Sequence, residues 1–281
     1  MRVLITGASG QLGRALAEAY ADEDVVALAH AELDVGDEEA VTSAIDEIAP
    51  DLVLNPAAYT KVDACEHDPE PAWRANAGGP WALGRACGRR DVPVVHFSTD
   101  YVFDGTSPQP YTEFDATNPQ SVYGRTKLGG EHLLRQAAPR HFLVRTSWLH
   151  GAGSANFLST MLRLGHERGA VRVVADQRGA PTFTSDLAAA VRALTATDRC
   201  GTYHLTNAGA CTWFELATTA YRLAGLDVVC EPIDTATFGA AAPRPANSVL
   251  DNRMARLAGL SPLPHWQDGL RRWLAAASQP I

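Results

Sequence analysis

Residues 1–13 read MRVLITGASGQLG, an apolar run that ends in three glycines with the spacing GxxGxxG. The amphipathic segment Gln11–Tyr20 follows directly, so the pattern predicts a strand, a tight turn and a helix. Gly7, Gly10 and Gly13 would let the backbone approach a pyrophosphate, whose charge the free N–H groups and the helix dipole favour. Three glycines can also form a plain tight turn, but the strand–turn–helix context favours cofactor binding.

The same alternation of short apolar runs and longer amphipathic segments continues to about residue 147. Strands buried on both faces and separated by helix-length segments predict an α/β fold with a doubly wound parallel sheet. The predicted strands are Arg2–Thr6, Val25–Leu28, Leu52–Asn55, Val92–Ser98 and Phe142–Thr146. The predicted helices are Gln11–Tyr20, Glu38–Ile48, Pro69–Arg89 and Val122–Gln136.

The second half of the chain has a looser pattern. We interpret residues 1–147 as a dinucleotide-binding domain and 148–281 as mainly a smaller substrate domain, with segments that return to the first. Helices are expected at Asn156–Arg168, Thr184–Leu194 and Trp213–Leu223, short strands at Val171–Ala175, Tyr203–Leu205 and Val228–Glu231, and a loop at Thr235–Asn247.

Composition and charge narrow the class of protein. A formal net charge of -8 and a pI of about 5.6 disfavour a nucleic-acid binder and a protein of anionic membranes. The five cysteines form no CxxC pair, and the nine histidines form no HxH or HxxxH pair, so we predict neither a disulfide framework nor a metal site. With no signal-peptide pattern and no apolar run of 18 residues, we expect a cytoplasmic protein.

Tyr123 and Lys127 carry the clearest catalytic signal. Their spacing of four places both side chains on one face of a predicted helix. Lys127 is one of only two lysines among 24 basic residues. A lysine carries a compact ammonium group with three donors, whereas arginine carries a planar fork with a different reach. A unit charge about 4 Å away is worth about 4 kcal/mol at an effective dielectric of about 20. We therefore expect the pKa of Tyr123 to be about 7, which suits the phenol to protonate an alkoxide formed by hydride transfer.

A third element follows the fourth predicted strand, in VVHFSTDYVFDG. Ser98, Thr99 and Asp100 lie where ligands bind open parallel sheets, outside the carboxyl ends of the strands. A hydroxyl there can hydrogen-bond a substrate carbonyl. Alternation points Ser98 and Thr99 to opposite faces, and the residues alone do not choose between them.

The second strand bears on cofactor choice. Sites specific for NAD usually place an acid at its end to bind the ribose 2′-hydroxyl. Here Ala29 and His30 follow the strand, and the first acids are Glu32 and Asp34. The missing carboxylate favours NADPH, with NADH as the alternative.

Motifs spread over residues 7–250 resemble the dTDP-4-dehydrorhamnose reductases, a branch of the extended short-chain dehydrogenase/reductases. They are GASGQLG, LDVGD, NPAAYTKVDACE, STDYVFDG, YGRTKLGGE, RTSWLHG, NFL, DQRGAPT and RPANSVL. The resemblance implies NADPH- or NADH-dependent reduction of dTDP-4-dehydro-L-rhamnose to dTDP-L-rhamnose. This reaction is the last step towards the rhamnose donor of cell-surface glycans.

The resemblance also implies roles for individual residues. It makes Thr99, Tyr123 and Lys127 the catalytic triad, which selects Thr99 over Ser98. Besides the three glycines, His30, Tyr123 and Lys127, the residues expected at the cofactor are Gln11, Leu12, Asp34, Val35, Ala57, Ala58 and Tyr59. Those expected at the substrate, a dTDP-linked 4-keto-6-deoxyhexose, are Thr99, Asp100, Trp148, Asn156 and Arg244.

Some features of the family are not predicted. Certain members bind magnesium through glutamates at a dimer contact, but no suitable acidic cluster is evident, so we predict neither that metal nor that dimer; a homodimer of another kind stays open. His150 stands where an aromatic residue such as tyrosine is common. Five other tryptophans, Trp213 among them, lie on helical patterns and are interpreted as core.

Two other functions remain as alternatives. A related dehydratase or epimerase would retain NAD through its cycle, but dehydratases typically carry an acid directly after the Thr-Asp pair, where this chain has Tyr101. A non-catalytic regulator, such as the regulatory subunit of methionine adenosyltransferase, resembles the same branch. The intact Thr99, Tyr123 and Lys127 argue against lost catalysis.

Overall fold

The computed structural model describes residues 1–277, and its centre is a sheet of six parallel strands. In chain order the strands of the molecule are β1 (Arg2–Ile5), β2 (Asp24–Ala27), β3 (Leu52–Asn55), β4 (Val94–Thr99), β5 (His141–Thr146), β6 (Leu149–His150), β7 (Ala170–Val174), β8 (Arg178–Gly179), β9 (Thr182–Phe183), β10 (Gly201–His204), β11 (Cys211–Thr212) and β12 (Val229–Ile233). The central sheet has the order β10-β5-β4-β3-β1-β2, and the other strands form three two-stranded sheets. The predicted doubly wound α/β fold is confirmed.

Helices cover both faces of the central sheet. They are α1 (Gln11–Ala19), α2 (Glu38–Ile48), α3 (Val62–His67), α4 (Glu70–Trp73), α5 (Gly79–Gly88), α6 (Val122–Ala137), α7 (Phe157–Arg168), α8 (Thr184–Thr195), α9 (Trp213–Leu223), α10 (Thr235–Phe238), α11 (Arg253–Leu257) and α12 (Trp266–Ala277). None of the helices in residues 1–277 is both long and apolar enough to span a bilayer.

Alternation along β1 explains the two layers. Val3 and Ile5 point to one face, where they pack with Leu16 of α1 and Leu187 of α8. Leu4 points to the other face and belongs to a second core with residues of α2, α5 and α6. Because each strand is buried on both sides, the sheet sits at the centre and its carboxyl edge opens towards the second half of the chain.

Segments from the second half of the chain complete the central sheet and the helices on the α1 face. β10 pairs in parallel with β5, and α8 packs against α1. A separate apolar cluster lies between α7, α9 and α12 and includes Leu158, Leu216 and Leu270. The boundary predicted between residues 147 and 148 stays a prediction.

The predicted helix Pro69–Arg89 contains a π-helical turn. The segment consists of α4, the π-helical turn at Arg74–Gly78 and then α5, without a break. The turn brings the Asn76 side chain inward, where it accepts a hydrogen bond from the Tyr59 N–H and donates to the Tyr59 carbonyl and the Thr126 hydroxyl. Inserted π turns often occur at functional sites.

One further expectation for the second half needed correction, and one helix had no predicted bounds. The predicted loop Thr235–Asn247 begins with the short helix α10, because the Asp234 carboxylate accepts a hydrogen bond from the Thr237 N–H and caps it. The helix α12 was not predicted; it buries Trp266 and Leu270 on one face.

Candidate active site

A cavity of about 510 Å³ follows the glycine turn at the carboxyl edge of the sheet. It brings together every expected cofactor position outside α6. Those lining residues are Gly7, Gly10, Gln11, Leu12, Gly13, His30, Asp34, Val35, Ala57, Ala58 and Tyr59. Whether each of them touches a cofactor stays a prediction.

The glycine turn is shaped for close approach. Gly7 has a φ of 55°, and a Cβ there would lie 2.8 Å from the Cα of Ala57. No side chain in the described chain caps the N-terminus of α1, and its first turn carries no acid. The free N–H groups and the positive end of the helix dipole therefore face the cavity without a protein anion, which fits a diphosphate.

Asp34 and His30 also line this cavity. The His30 side chain is 81% exposed, and Asp34 accepts a hydrogen bond from the Gly36 N–H at 2.9 Å. Asp34 also forms an ion pair with Arg74, the first residue of the π turn. Arg74 was not considered from the sequence, since it lies 40 residues further along the chain.

Tyr123 and Lys127 lie in the first two turns of α6. The Ser121 hydroxyl begins this helix by accepting a hydrogen bond from the Gly124 N–H at 3.1 Å. Lys127 is 1% exposed, and its ammonium donates to the carbonyl of Phe97 in β4 at 2.6 Å. Burial lowers the pKa of Lys127 to about 8, and the charge of Glu131 partly offsets this.

The expectation of a Tyr123 pKa near 7 is wrong for this structure. Burial raises the pKa of Tyr123, the nearby Asp100 charge raises it further, and the Thr99 hydroxyl only partly offsets these effects. The Lys127 ammonium is engaged by the Phe97 carbonyl and does not act as the phenol's main partner. The phenol is therefore protonated at neutral pH, as a proton donor has to be.

The structure separates Ser98 from Thr99. The Ser98 hydroxyl donates to the Glu131 carboxylate at 2.6 Å, on the inner side of α6. The Thr99 hydroxyl donates to Asp100 at 2.9 Å and accepts from the Tyr101 N–H. Burial raises the pKa of Asp100 to about 6, while hydrogen bonds from Ser248 and Thr99 act to lower it. Thr99, not Ser98, faces Asp100 and Tyr123.

A second cavity, of about 430 Å³, opens beside this site. Tyr101 and Arg244 line one side, and their chemistry suits an anion next to an aromatic wall. Arg244 donates to the Tyr101 hydroxyl at 2.9 Å and pairs with Asp63 at 2.7 Å. Tyr101 in turn contacts the Tyr123 ring edge-on, with centroids 5.6 Å apart. Asp63, unassigned from the sequence, thus holds Arg244 at the cavity.

Trp148 lies directly against Trp213, and its expected contact with the sugar stays a prediction. The Trp148 backbone has a φ of 47°, and its indole stacks on Trp213 with centroids 3.5 Å apart. A Cβ at Gly179 would overlap the Trp148 ring, which explains the glycine in DQRGAPT. Among the described residues Trp213, interpreted as core, lines the second cavity and Trp148 does not. Sequence spacing cannot reveal this stack, because the two indoles lie 65 residues apart.

The Asn156 side chain makes structural hydrogen bonds, and its expected contact with the nucleotide stays a prediction. It caps α7 by accepting from the Ser159 N–H, and it donates to Gln11 and to the Gly151 carbonyl, both at 3.0 Å. Gln11 also accepts from the Gly151 N–H at 2.8 Å. Asn156 therefore connects the second half of the chain to the first turn of α1.

His150 is buried beside this connection. It is 2% exposed, and its ring lies 5.8 Å from that of Phe183. Burial lowers the pKa of His150 to about 3, and the Asn156 side chain offsets only part of this. The imidazole is neutral at pH 7. Within residues 1–277, no group of three or more His, Cys, Asp or Glu side chains is arranged to hold a metal ion.

The family model for the RmlD substrate binding domain matches residues 1–279. A dTDP-4-dehydrorhamnose reductase of Streptomyces griseus is 42% identical over 278 residues, covering 96% of this chain and 91% of that protein. The chain belongs to the dTDP-4-dehydrorhamnose reductase family. A dTDP-4-keto-6-deoxy-D-glucose reductase of Streptomyces niveus is 40% identical, and the match covers 96% of this chain and 95% of that protein.

A solved member of the dTDP-4-dehydrorhamnose reductase family has the same architecture. The crystal structure of the Bacillus anthracis reductase in complex with NADP matches with a TM-score of 0.96 and 40% identity, covering 98% of this chain and 99% of that one. The resemblance stated from the motifs is therefore confirmed over the whole chain.

Proposed function

We propose that this chain is an NADPH-dependent dTDP-4-dehydrorhamnose reductase, which reduces the 4-keto group of dTDP-4-dehydro-L-rhamnose. The observation that carries the proposal is the contact of the Tyr123 hydroxyl with Thr99 at the carboxyl end of β4, beside Tyr101, which lines the second cavity. Proteins of this family with about 40% identity bear the names of reductases of dTDP-linked 4-keto sugars.

In the proposed reaction the described side chains handle the oxygen of the ketone. When bound, reduced nicotinamide supplies the hydride. Tyr123 donates its hydroxyl proton to the oxygen at C4, and Thr99 orients that oxygen by a hydrogen bond. Lys127 supplies a buried positive charge on the same helix face, next to the position proposed for the cofactor ribose.

The cofactor proposal is NADPH, with NADH as the alternative. The B. anthracis family member is in complex with NADP. In this chain Asp34, an acid that lines the cavity, is paired with Arg74, so its charge is compensated at the proposed ribose end of the cavity. We infer that a 2′-phosphate is not repelled there.

The second cavity is proposed to hold the dTDP part of the substrate. Trp213 and Phe157 offer apolar surface to a base, and Arg172 and Arg244 offer charge to a diphosphate. Asp100 is proposed to contact the sugar. We propose a cytoplasmic location, with no nucleic-acid partner, no membrane partner and no metal. A homodimer and the division of the chain at residue 147 are further proposals.

The deciding experiment is NADPH oxidation with dTDP-4-dehydro-L-rhamnose, with the product identified by NMR. We expect turnover that needs added cofactor and yields dTDP-L-rhamnose. The epimeric alcohol would show that the pocket binds the sugar the other way round. Turnover without added cofactor by protein carrying tight NAD would favour the dehydratase or epimerase. No turnover of any dTDP-keto sugar, together with a stoichiometric protein partner, would favour the regulator.

A further inference from the structure

Glu131 lies on the same face of α6 as Tyr123 and Lys127, one helical turn beyond the lysine. Its carboxylate is fully buried and accepts four hydrogen bonds, which satisfies both oxygens. Arg145 of β5 donates two of them, at 2.9 and 2.7 Å. The others come from Ser98 at 2.6 Å and Arg135 at 3.1 Å.

These contacts hold the end of β4 against the catalytic helix at two consecutive residues. Lys127 donates to the carbonyl of Phe97, and Glu131 accepts from the hydroxyl of Ser98. Thr99 is the next residue along the strand. Both contacts therefore restrict the position of Thr99 relative to Tyr123, because a strand held at two successive residues has little freedom at the third.

We propose that Glu131 is a positioning residue of the catalytic site, which fixes Thr99 through Ser98 and provides the counter-charge of Lys127. The inference rests on the proposed reductase function. Neither the motif spacing nor the expected site residues assign a role to Glu131.

The charges around Lys127 support the second part of this proposal. From its own helix Glu131 faces it as an anion, and from β4 His96 faces it as a neutral ring, whose pKa burial and the Lys127 charge lower far below its usual range. Burial favours neutral Glu131, but hydrogen bonds and charge from Arg145 lower the pKa of Glu131 overall, so it is ionised. Without this anion, burial alone would act on the pKa of Lys127 and would lower it further.

The first test is Glu131→Gln, which keeps the shape of the side chain and removes its charge. We expect the alkaline limb of the kcat–pH profile to move to lower pH by about one unit, since a lost neighbouring charge shifts a pKa by about 1–3 units. Glu113→Gln is the matched control. Glu113 is a partly buried glutamate that accepts backbone hydrogen bonds from His204 and Met254, and its substitution should leave the limb in place.

Glu131→Gln leaves the buried Arg145 charge without its partner, and an unpaired buried charge destabilises the folded protein. The double variant Glu131→Gln with Arg145→Met removes both charges and should show the same alkaline shift. NADPH dissociation constants over the same pH range give a readout that needs no turnover. An unmoved limb and unmoved cofactor affinity in whichever of these variants folds would overturn the role of the charge.

The second test is Ser98→Ala, which deletes only the link from Glu131 to β4. We expect kcat to fall about tenfold or more, because a misplaced catalytic group can cost about 100-fold. The NADPH affinity and the alkaline limb should stay unchanged, since the Glu131 charge remains. Wild-type kcat in Ser98→Ala would overturn the role in positioning Thr99. Failure of the wild-type enzyme to oxidise NADPH would instead refute the proposed function.

Discussion

The Tyr123 phenol is the proposed source of the proton that reaches the substrate oxygen. Tyr123→Phe keeps the ring that contacts Tyr101 and removes that proton. We expect kcat to fall about 100- to 10,000-fold with little change in NADPH affinity, as measured by stopped-flow oxidation and fluorescence titration. Tyr203→Phe, which removes a hydroxyl that donates to the Arg199 carbonyl, serves as control. Near-wild-type turnover in Tyr123→Phe would exclude this phenol as the acid.

His150 makes the stability of the protein dependent on pH. Its pKa is about 3 in the folded protein because of burial, against about 6.5 for an unperturbed histidine. As pH falls below about 6.5 the unfolded chain binds a proton that the folded protein does not bind until about pH 3. The free energy of unfolding should therefore drop by about 1.4 kcal/mol per pH unit from this residue over that window.

We therefore expect His150→Tyr to flatten the pH dependence of unfolding by about 1.4 kcal/mol per unit between about pH 6.5 and 4. Urea unfolding at a series of pH values measures this slope. His166→Tyr, at an exposed position on α7, should leave it unchanged. Parallel slopes for wild type and His150→Tyr would show that the imidazole is protonated in the folded state.

At the scale of elements, the contact between α6 and the π turn aligns the catalytic helix with the cofactor cavity. Asn76 connects Tyr59, which lines that cavity, to Thr126, which lies between Tyr123 and Lys127 in the chain. Of the two consecutive glycines on α6, one allows this approach. A Cβ at Gly130 would overlap the carbonyl oxygen of Asn76, whereas one at Gly129 would meet only the Trp73 ring at 2.7 Å and Ala77 at 3.5 Å.

This geometry predicts opposite effects for two neighbouring substitutions. Gly130→Ala should destabilise the protein by about 1–3 kcal/mol and lower kcat, because backbone has to move. Gly129→Ala should be neutral or stabilising by up to about 1 kcal/mol, since the half-exposed Trp73 can rotate and alanine favours the helix. Thermal unfolding and turnover of the two variants, measured side by side, test this prediction. Equal stability would mean that the π turn does not depend on this contact.

At the scale of the whole molecule, the first half of the chain does not complete its own sheet. Strand β10 covers the edge of β5, and α8 covers α1 with Leu187 and Val191. A fragment of residues 1–147 would leave that edge and the apolar face of α1 exposed. We expect it to lack cooperative thermal unfolding and to aggregate, as measured by circular dichroism and light scattering. A monomeric fragment with a sharp transition would show that residues 1–147 fold independently.

The prediction from sequence succeeded where local pattern and local chemistry decide. Short β-branched runs with helix-length spacers are enough to specify parallel strands, and all six sheet strands lie within two residues of their predicted bounds. The glycine turn and the Tyr123–Lys127 spacing are likewise local, so the cavity along α1 and the helix face of α6 could be expected from them. Motifs spread over residues 7–250 identified the family for the same reason.

Contacts between distant segments decided the rest, because no periodicity encodes them. The Trp148–Trp213 stack, the Asp63–Arg244 pair and the link from Asn156 to Gln11 each join residues more than 60 positions apart. The ionisation of Tyr123 also depends on packing, since desolvation by the whole surroundings outweighs the one charge that its spacing implied. By itself the sequence determined the fold class and the side chains that are proposed to react; the tertiary structure determined their partners and protonation, because burial depends on the entire fold.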